Sequence, residues 1–531
     1  MGGMRPWTAK LLIAGLGGFL TMAATVSARA ESVLRFAANT DIRVLDPIWS
    51  AEYSSRNHGY LIYDTLFAYN SKFEVKPQMV DTWKVSEDKL TYEFKLRAGL
   101  KWHDGQPVTA DDCVASIKRW GTRDPIGQAM MAASSEIKST GPDSFQIKFK
   151  EPFGYVLEAL AKTGSPPPFM MPERIAKTSG TEQIKEAIGS GPFMFSRSEW
   201  APGDKAVYLK FKDYKPRSEP ADFLAGGKVA HVDRIEWLYI PSGATSVAAL
   251  QAGDIDWVEH PPADLLPTLS KANGISVRAV DPFGIQTMIR FNHILPPFND
   301  AKVRRAVGLT VDQKDYLRVM SDDPRSWETC RSVFICKTRF GEDVLTGDLL
   351  LKKDLAEAKK ALAESSYRGE KIVILDAVDD AVLHALAIVA ADNLKQIGMN
   401  VELRATDGAS QFALSLKQDP IDKGGWSISP QFADSTNYSV PFLNNAMRVG
   451  GVGKASIGWP KNDKIEALRG AFLKATSLDD QKKIANEIAV EGYRDSIYFP
   501  TGQFKQLTAY RQAVSGIIDS PIPVFWNIKK Q

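Results

Sequence analysis

The stretch Ile372-Val373-Ile374-Leu375-Asp376-Ala377-Val378-Asp379-Asp380, followed past Gly398 by Val401-Glu402-Leu403, sets the fold class. Four consecutive apolar residues, two of them isoleucine, read as a buried strand. A long helix is then predicted from about Asp380 to Ile397, stopped at Gly398, with Val401 to Leu403 continuing as a second strand. Strand, helix and strand in that order form a βαβ unit, whose crossover is right-handed by rule. Just upstream, Asp354 with Glu357 forms a capping-box pattern opening a helix that carries Leu355, Ala358 and Leu362.

The same mixture extends outward to both termini. Val33 to Ala38 reads as a strand running into polar Asn39-Thr40-Asp41, and Tyr60 to Leu66 as a buried helix. Leu90 to Leu96 and Ser144 to Phe149 alternate as half-buried strands. Between them Thr109 and Asp112 cap a helix whose core stripe is Val114, Ile117 and Trp120. Pro166-Pro167-Pro168 and Pro172 mark an irregular connection. Gly189-Ser190-Gly191-Pro192-Phe193 marks a sharp turn whose glycines permit positive φ. Strands follow at Ala206 to Phe211 and Arg234 to Ile240, then helix, turn and strand through Val247–Leu250 and Gly253-Asp254-Ile255-Asp256-Trp257. No repeat of 20 to 50 residues is present, which excludes solenoids and propellers.

Composition agrees with a folded α/β protein: 531 residues, 44% hydrophobic and 24% charged, with 39 Gly, 30 Pro and 3 Cys. Residues 1–30 read as a secretory leader, with Arg5 and Lys10 in a basic start, an apolar run from Leu11 to Leu20, and Ala28-Arg29-Ala30 as the cleavage site before Glu31. Arg5, Lys10 and Arg29 account for the whole formal charge of +3, leaving 63 of the 66 basic residues against 63 acidic ones. A neutral mature chain without Lys/Arg blocks argues against a nucleic-acid partner. In an oxidising compartment Cys330 and Cys336 are expected to close a short disulfide loop, and Cys113, on the helix after Asp112, to be a buried inert thiol.

No catalytic constellation is legible. His58, His103, His231, His260, His293 and His384 lack metal-ligand spacing, and no cofactor is expected. Gly451-Val452-Gly453-Lys454-Ala455 places Ala where a phosphate loop needs Ser or Thr. Lys101-Trp102-His103-Asp104-Gly105 reads as a turn. Carboxylate pairs such as Asp322-Asp323 carry no information about a site by spacing alone.

The order of several motifs resembles one family, the large extracytoplasmic solute-binding proteins of ABC importers, family 5, with its dipeptide-, oligopeptide- and nickel-binding members. The matching stretches are Leu45-Asp46-Pro47, Tyr63-Asp64-Thr65-Leu66-Phe67, Leu96 through Gly105 with Thr109-Ala110-Asp111-Asp112, Gly189 through Phe193, Gly253 through Asp256, Pro297-Phe298-Asn299-Asp300 and Val303-Arg304-Arg305-Ala306. The resemblance implies an α/β, two-lobed Venus-flytrap fold (class II, cluster C) with an extra inserted domain. Domain I would comprise residues 31–72, 190–284 and 500–531, domain II 73–189 and domain III 285–499. Hinge closure around the solute would be the mechanism.

It also implies a ligand-binding cleft lined by Asn39, Thr40, Asp41, Tyr53, Asn57, Trp426, Ser427, Ser429, Asp434, Asn437 and Tyr438. Two departures from the dipeptide-binding pattern stand out. Ser429 occupies the place where dipeptide binders carry an Asp for the peptide's α-ammonium group. No Arg follows Leu375 before Arg404, so Arg290 is a candidate for an anionic ligand group and Asp379 or Asp380 for a cationic one. The expectation is a periplasmic, monomeric, non-enzymatic binder of a peptide-like or opine-like small molecule, with permease subunits in the inner membrane as partner. The alternatives are a nickel- or metal-chelate binder of the same family, an exported hydrolase and a sensory binding protein.

Overall fold

The computed structural model describes residues 1–4, 31–321, 323–342 and 350–531. The leader's basic start, its apolar run and Ala28-Arg29-Ala30 lie outside the described residues, as does Asp322. The chain divides into Met1–Glu31 and Ser32–Gln531, and every helix and strand below belongs to the latter.

Val33–Ala38 forms the strand expected of it and takes a central place in a seven-stranded sheet. Arg234–Tyr239 and Trp257–Val258 flank it in parallel, so both of its hydrogen-bonding edges are paired. Leu34 and Phe36 are fully buried, and the Phe36 ring packs edge-on against Trp237, Trp257 and Phe525 at centroid distances of 5.1, 4.8 and 5.0 Å. Leu507–Arg511, from the far end of the chain, completes this sheet beside Trp257–Val258.

A four-stranded antiparallel sheet of Val80–Val85, Thr91–Leu96, Ser144–Phe149 and Ser134–Gly141 is joined to the first by buried charge. Arg119, on the helix Ala110–Trp120, grips Asp46 with two guanidinium nitrogens at 3.1 and 2.7 Å. Asp46 also accepts from the Ile48, Trp49 and Ile184 amides, so the Leu-Asp-Pro stretch is a structural knot. Thr109 and Asp112 form the expected capping box, and Cys113 is fully buried, where desolvation pushes its thiol up. Gly189 owes its place to close approach rather than to positive φ: a Cβ there would lie 1.8 Å from the Ile62 carbonyl oxygen.

The second large sheet has six strands in the order Trp327–Glu328, Tyr498–Phe504, Ile285–Phe291, Ile428–Asp434, Lys371–Ala377 and Asn400–Thr406. Its last two strands are parallel and joined by the helix Ala381–Gln396, with Gly398 at φ +88°: the βαβ unit read from the sequence. Tyr498–Phe504 pairs with Ile285–Phe291 along its length. The expected boundary at 499/500 therefore falls within one strand of this sheet. Cys330 and Cys336 are bonded, with Cα atoms 5.8 Å apart.

Two connections carry the chain between the large sheets, residues 280–284 and 505–506. They run side by side. Gly284, at φ +72°, presents its Cα to the Phe504 carbonyl, and a Cβ would come within 2.4 Å of that oxygen. A paired crossing of this kind is a natural hinge.

Candidate functional site

The helix Tyr53–Ile62 begins in Tyr53-Ser54-Ser55-Arg56-Asn57-His58, a polar run that nevertheless is buried apart from Tyr53. The apolar pattern predicted a helix over 60–66. Only its start agrees, because the polar half is buried by specific partners rather than by apolar packing: Ser55 Oγ donates to the Val44 carbonyl at 2.8 Å, His58 Nδ1 bonds the Tyr208 hydroxyl at 2.8 Å, and Arg56 reaches across the molecule. Arg56 is 3% exposed; its Nε donates to Asn57 Oδ1 at 3.0 Å, and its guanidinium lies 4.8 Å from the centre of the Tyr53 ring. Its Nη1 donates to Asp434 Oδ2 at 3.1 Å.

Asp434 ends a strand of the second sheet and caps the short helix Ser435–Tyr438 through the Asn437 amide at 3.0 Å. One carboxylate oxygen thus fixes a local turn while the other closes on Arg56 from the first sheet's side. The carboxylate also holds the Tyr53 phenol in its protonated form by raising its pKa. A second ion pair crosses the same gap, Arg339 Nη1 to Glu158 Oε1 at 3.0 Å.

Around these two pairs the space between the lobes divides into two compartments. The first, about 750 Å³ with some open solvent included, lies at the hinge and is rich in charge: Arg56, Glu259, His260, Asp281 and Asp434 line it with Tyr53 and Asn57. Burial, reinforced by Asp434, pushes the Asp281 carboxyl up to about 6. Burial also lowers the pKa of His260, whose Nδ1 has no hydrogen-bond partner. The second compartment, about 550 Å³ measured the same way, is walled by aromatic and aliphatic side chains and by the Glu158–Arg339 pair; Pro521 lines both compartments.

Of the residues singled out in the sequence, Tyr53, Asn57 and Asp434 come together in the charged compartment. Asn39 borders a separate recess on the first sheet, its amide donating to Glu259 Oε2 at 2.8 Å. The Thr40 carbonyl accepts from Trp237 Nε1 at 3.4 Å, and Asp41 accepts from the Gly203 amide at 2.9 Å while pairing with Arg43. Neither lines a compartment described above.

Trp426 is a correction. It is fully buried in a cluster with Leu375, Ile457 and Trp459, donates to the Lys417 carbonyl at 3.1 Å, and forms core of the second lobe rather than a cleft wall. Ser427, just before the strand, accepts through Oγ from the Val373 amide at 3.1 Å, and Ser429 Oγ within it accepts from Gln431 Nε2 at 2.9 Å. Arg290 is 3% exposed and donates to the Ile457 carbonyl at 2.6 Å. Asp380 caps its helix through the Val382 and Leu383 amides, and Asp379 accepts from the Gly408 amide at 2.8 Å. Their carboxylates are engaged with backbone donors. Asn437 packs against Gly164 across the gap, and the Tyr438 hydroxyl donates to Asn445 Oδ1 at 2.5 Å.

Arg56, Glu158, Asp281 and Arg339 were not read from the sequence. Arg56 had one available signal: it stands three residues after Tyr53, on the same helix face. Among the described residues no group of three or more His, Cys, Asp or Glu side chains is disposed to hold a metal ion, and no helix is long and apolar enough to cross a membrane.

Two sheet-centred α/β lobes, a paired crossing and a charged cleft between them define a two-lobed solute-binding protein. The chain belongs to the bacterial extracellular solute-binding proteins, family 5, whose model matches residues 74–448. It is 38% identical over 509 residues to a probable peptide ABC transporter periplasmic-binding protein, y4tO, of Sinorhizobium fredii, covering 96% of this chain and 95% of that one. Among solved structures it resembles the ABC transporter substrate-binding protein CtaP of Listeria monocytogenes, with a TM-score of 0.78, 18% identity and coverage of 94% and 99%. It also resembles a dipeptide-binding protein of Pseudoalteromonas in complex with Met-Leu, with a TM-score of 0.75, 18% identity and coverage of 94% and 100%. At these identities the likeness to the solved structures is one of fold.

Proposed function

We propose that this protein captures a peptide or peptide-like solute by closing its lobes over the cleft, and delivers it to the permease subunits of an ABC importer. The observation that carries this reading is the Arg56–Asp434 pair, a cation from one lobe and an anion from the other meeting in a buried cleft. A zwitterionic solute offers both charges such a pair needs if it is to separate, and burial makes the exchange strongly dependent on both being present. The 38% identical relative supports the same solute class.

In this reading Tyr53, Arg56, Asn57, Asp281 and Asp434 contact the solute's charged end, and the three-domain division supplies the moving parts. The mature chain begins at Glu31, works in the periplasm as a monomer and carries out no chemistry on its solute. Calorimetric titration with a tripeptide, its N-acetylated form and its C-amidated form tests the assignment. Tight binding of the free tripeptide, with both blocked forms weaker by tenfold or more, is the expected result. Equal binding of all three would contradict it.

A further inference from the structure

The helix Gly408–Ser415, on the second lobe, turns its apolar face to water. Asp407 caps it through the Ser410 amide and Asp379 accepts from the Gly408 amide at 2.8 Å, so its start is fixed. Its two buried residues are both polar, Gln411 at 1% exposed and Ser415 at 0%. Gln411 Nε2 donates to the Pro430 carbonyl at 2.8 Å, which ties the helix to the strand Ile428–Asp434. Leu414 turns partly inward against the Trp426 cluster. The other apolar residues face solvent. Ala409, Phe412, Ala413 and Leu416 recur at the i, i+3, i+4 and i+7 spacing of one helix face, and all four are exposed, Phe412 at 56% and Leu416 at 54%. Val378, next to Asp379 at the start of the helix, is 55% exposed. An amphipathic helix buries its apolar stripe. One that buries glutamine and serine and shows phenylalanine to water carries a stripe suited to a partner.

The size and surroundings of this stripe select the partner. Its side chains expose on the order of a few hundred Å², well short of the roughly 800 Å² per partner that a stable complex buries, so a transient partner fits better than a second copy of this chain. The exposed charges flanking it are mainly acidic, Asp379, Asp407, Asp419 and Asp422 against Lys417 and Lys423, which disfavours an anionic lipid surface. Through Gln411 the helix is fastened to the strand that carries Asp434 into the cleft, so a partner seated on the stripe follows the second lobe as the cleft opens and closes. A binding protein of an ABC importer has one such transient partner, the permease. We infer that the 409–416 stripe is the second lobe's docking surface for the permease subunits, received in an apolar groove on their outer face with Phe412 and Leu416 as anchors. The inference rests on the importer reading above and adds to it the surface through which the second lobe is engaged.

The test is surface plasmon resonance of the full mature chain, with and without a tripeptide mixture, against its importer reconstituted in lipid nanodiscs. The Phe412→Asp/Leu416→Asp variant should bind about tenfold or more weakly than the parent while keeping the parent's melting temperature, since both side chains already stand in water. Phe412→Ser/Leu416→Ser, which adds no charge, should weaken binding in the same direction. Parent-like binding by either folded variant would overturn the docking surface and leave the importer reading standing. Equal binding of the parent to empty nanodiscs would assign the stripe to lipid, and a concentration-dependent dimer abolished in the variants, seen by sedimentation, would assign it to a second copy. Either result overturns the proposal. Failure of the parent to bind the importer at all would overturn the importer reading, and the docking surface with it.

Discussion

Arg56 Nη1 and Asp434 Oδ2 stand 3.1 Å apart although 378 residues separate them in the chain, and their contact joins the first lobe's polar helix to the strand end of the second. Both are almost wholly buried. Removing one partner strands the other charge in a desolvated gap, so Arg56→Ala should weaken the closed form by about 3–5 kcal/mol. Small-angle scattering should then report a larger radius of gyration than for the parent protein. An unchanged radius would show that the pair does not hold the lobes together.

Closure also depends on close backbone approach. The Gly154 amide donates to the Leu473 carbonyl at 2.8 Å across the lobes, and a Cβ on Gly154 would lie 1.9 Å from the Ala475 carbonyl oxygen. Backbone cannot yield as a flexible side chain does. Gly154→Ala is expected to hold the cleft ajar and lower solute affinity by tenfold or more, with little change in the melting temperature of the unliganded protein. Equal affinities in paired titrations would refute this.

Stability should fall as the solution is acidified below neutrality. Burial lowers His58 to about 3 and His103 to about 4, against an ordinary value of 6.5, so below pH 6.5 the unfolded chain takes up protons that the folded one refuses. Asp281 opposes this, because a carboxyl held at about 6 gains stability as pH falls toward the ordinary carboxylate range. His231, His260 and His293 are lowered as well, so the histidines together outweigh the one carboxyl. Unfolding experiments at pH 6.5 and pH 5 should differ by at least about 2 kcal/mol in favour of the higher pH. His58→Gln should flatten the dependence and Asp281→Asn should steepen it; the reverse order would contradict the assignment.

The Cys330–Cys336 loop is short, with a separation of 6 residues, so cross-linking it restrains the unfolded chain only modestly. Chain-entropy arithmetic puts its contribution at about 2 kcal/mol. The Cys330→Ser/Cys336→Ser double variant should unfold at correspondingly lower denaturant, with solute affinity unchanged, as measured by urea titration and calorimetry.

Much of the fold was legible because its elements announce themselves locally: the βαβ unit at 371–406, the strand Val33–Ala38 and the Thr109–Asp112 capping box each follow from a few adjacent residues. The site was less so. Its helix opens with Tyr-Ser-Ser-Arg-Asn-His, which hydrophobic periodicity passes over, since the partners that satisfy those groups lie elsewhere in the chain: Val44 for Ser55, Tyr208 for His58, and Asp434 on the other lobe for Arg56. The pairs Asp46–Arg119, Asp64–Lys228 and Lys162–Asp124 were hidden for the same reason: each buries charges brought together only by tertiary structure. Trp426 shows the converse, an amphipathic residue whose polar atom is satisfied inside the core at Lys417 and so has no need of the cleft.

The central claim, that the cleft closes on a peptide-like solute, is tested most directly by native mass spectrometry of the mature protein purified from the periplasm, followed by denaturation and sequencing of whatever small molecule is released. A one-to-one complex is predicted, releasing peptides or peptide-like molecules that bear free charged termini. A bound solute that is neither a peptide nor a peptide-like zwitterion, or a protein that stays bare after incubation with a random peptide mixture, would contradict the account.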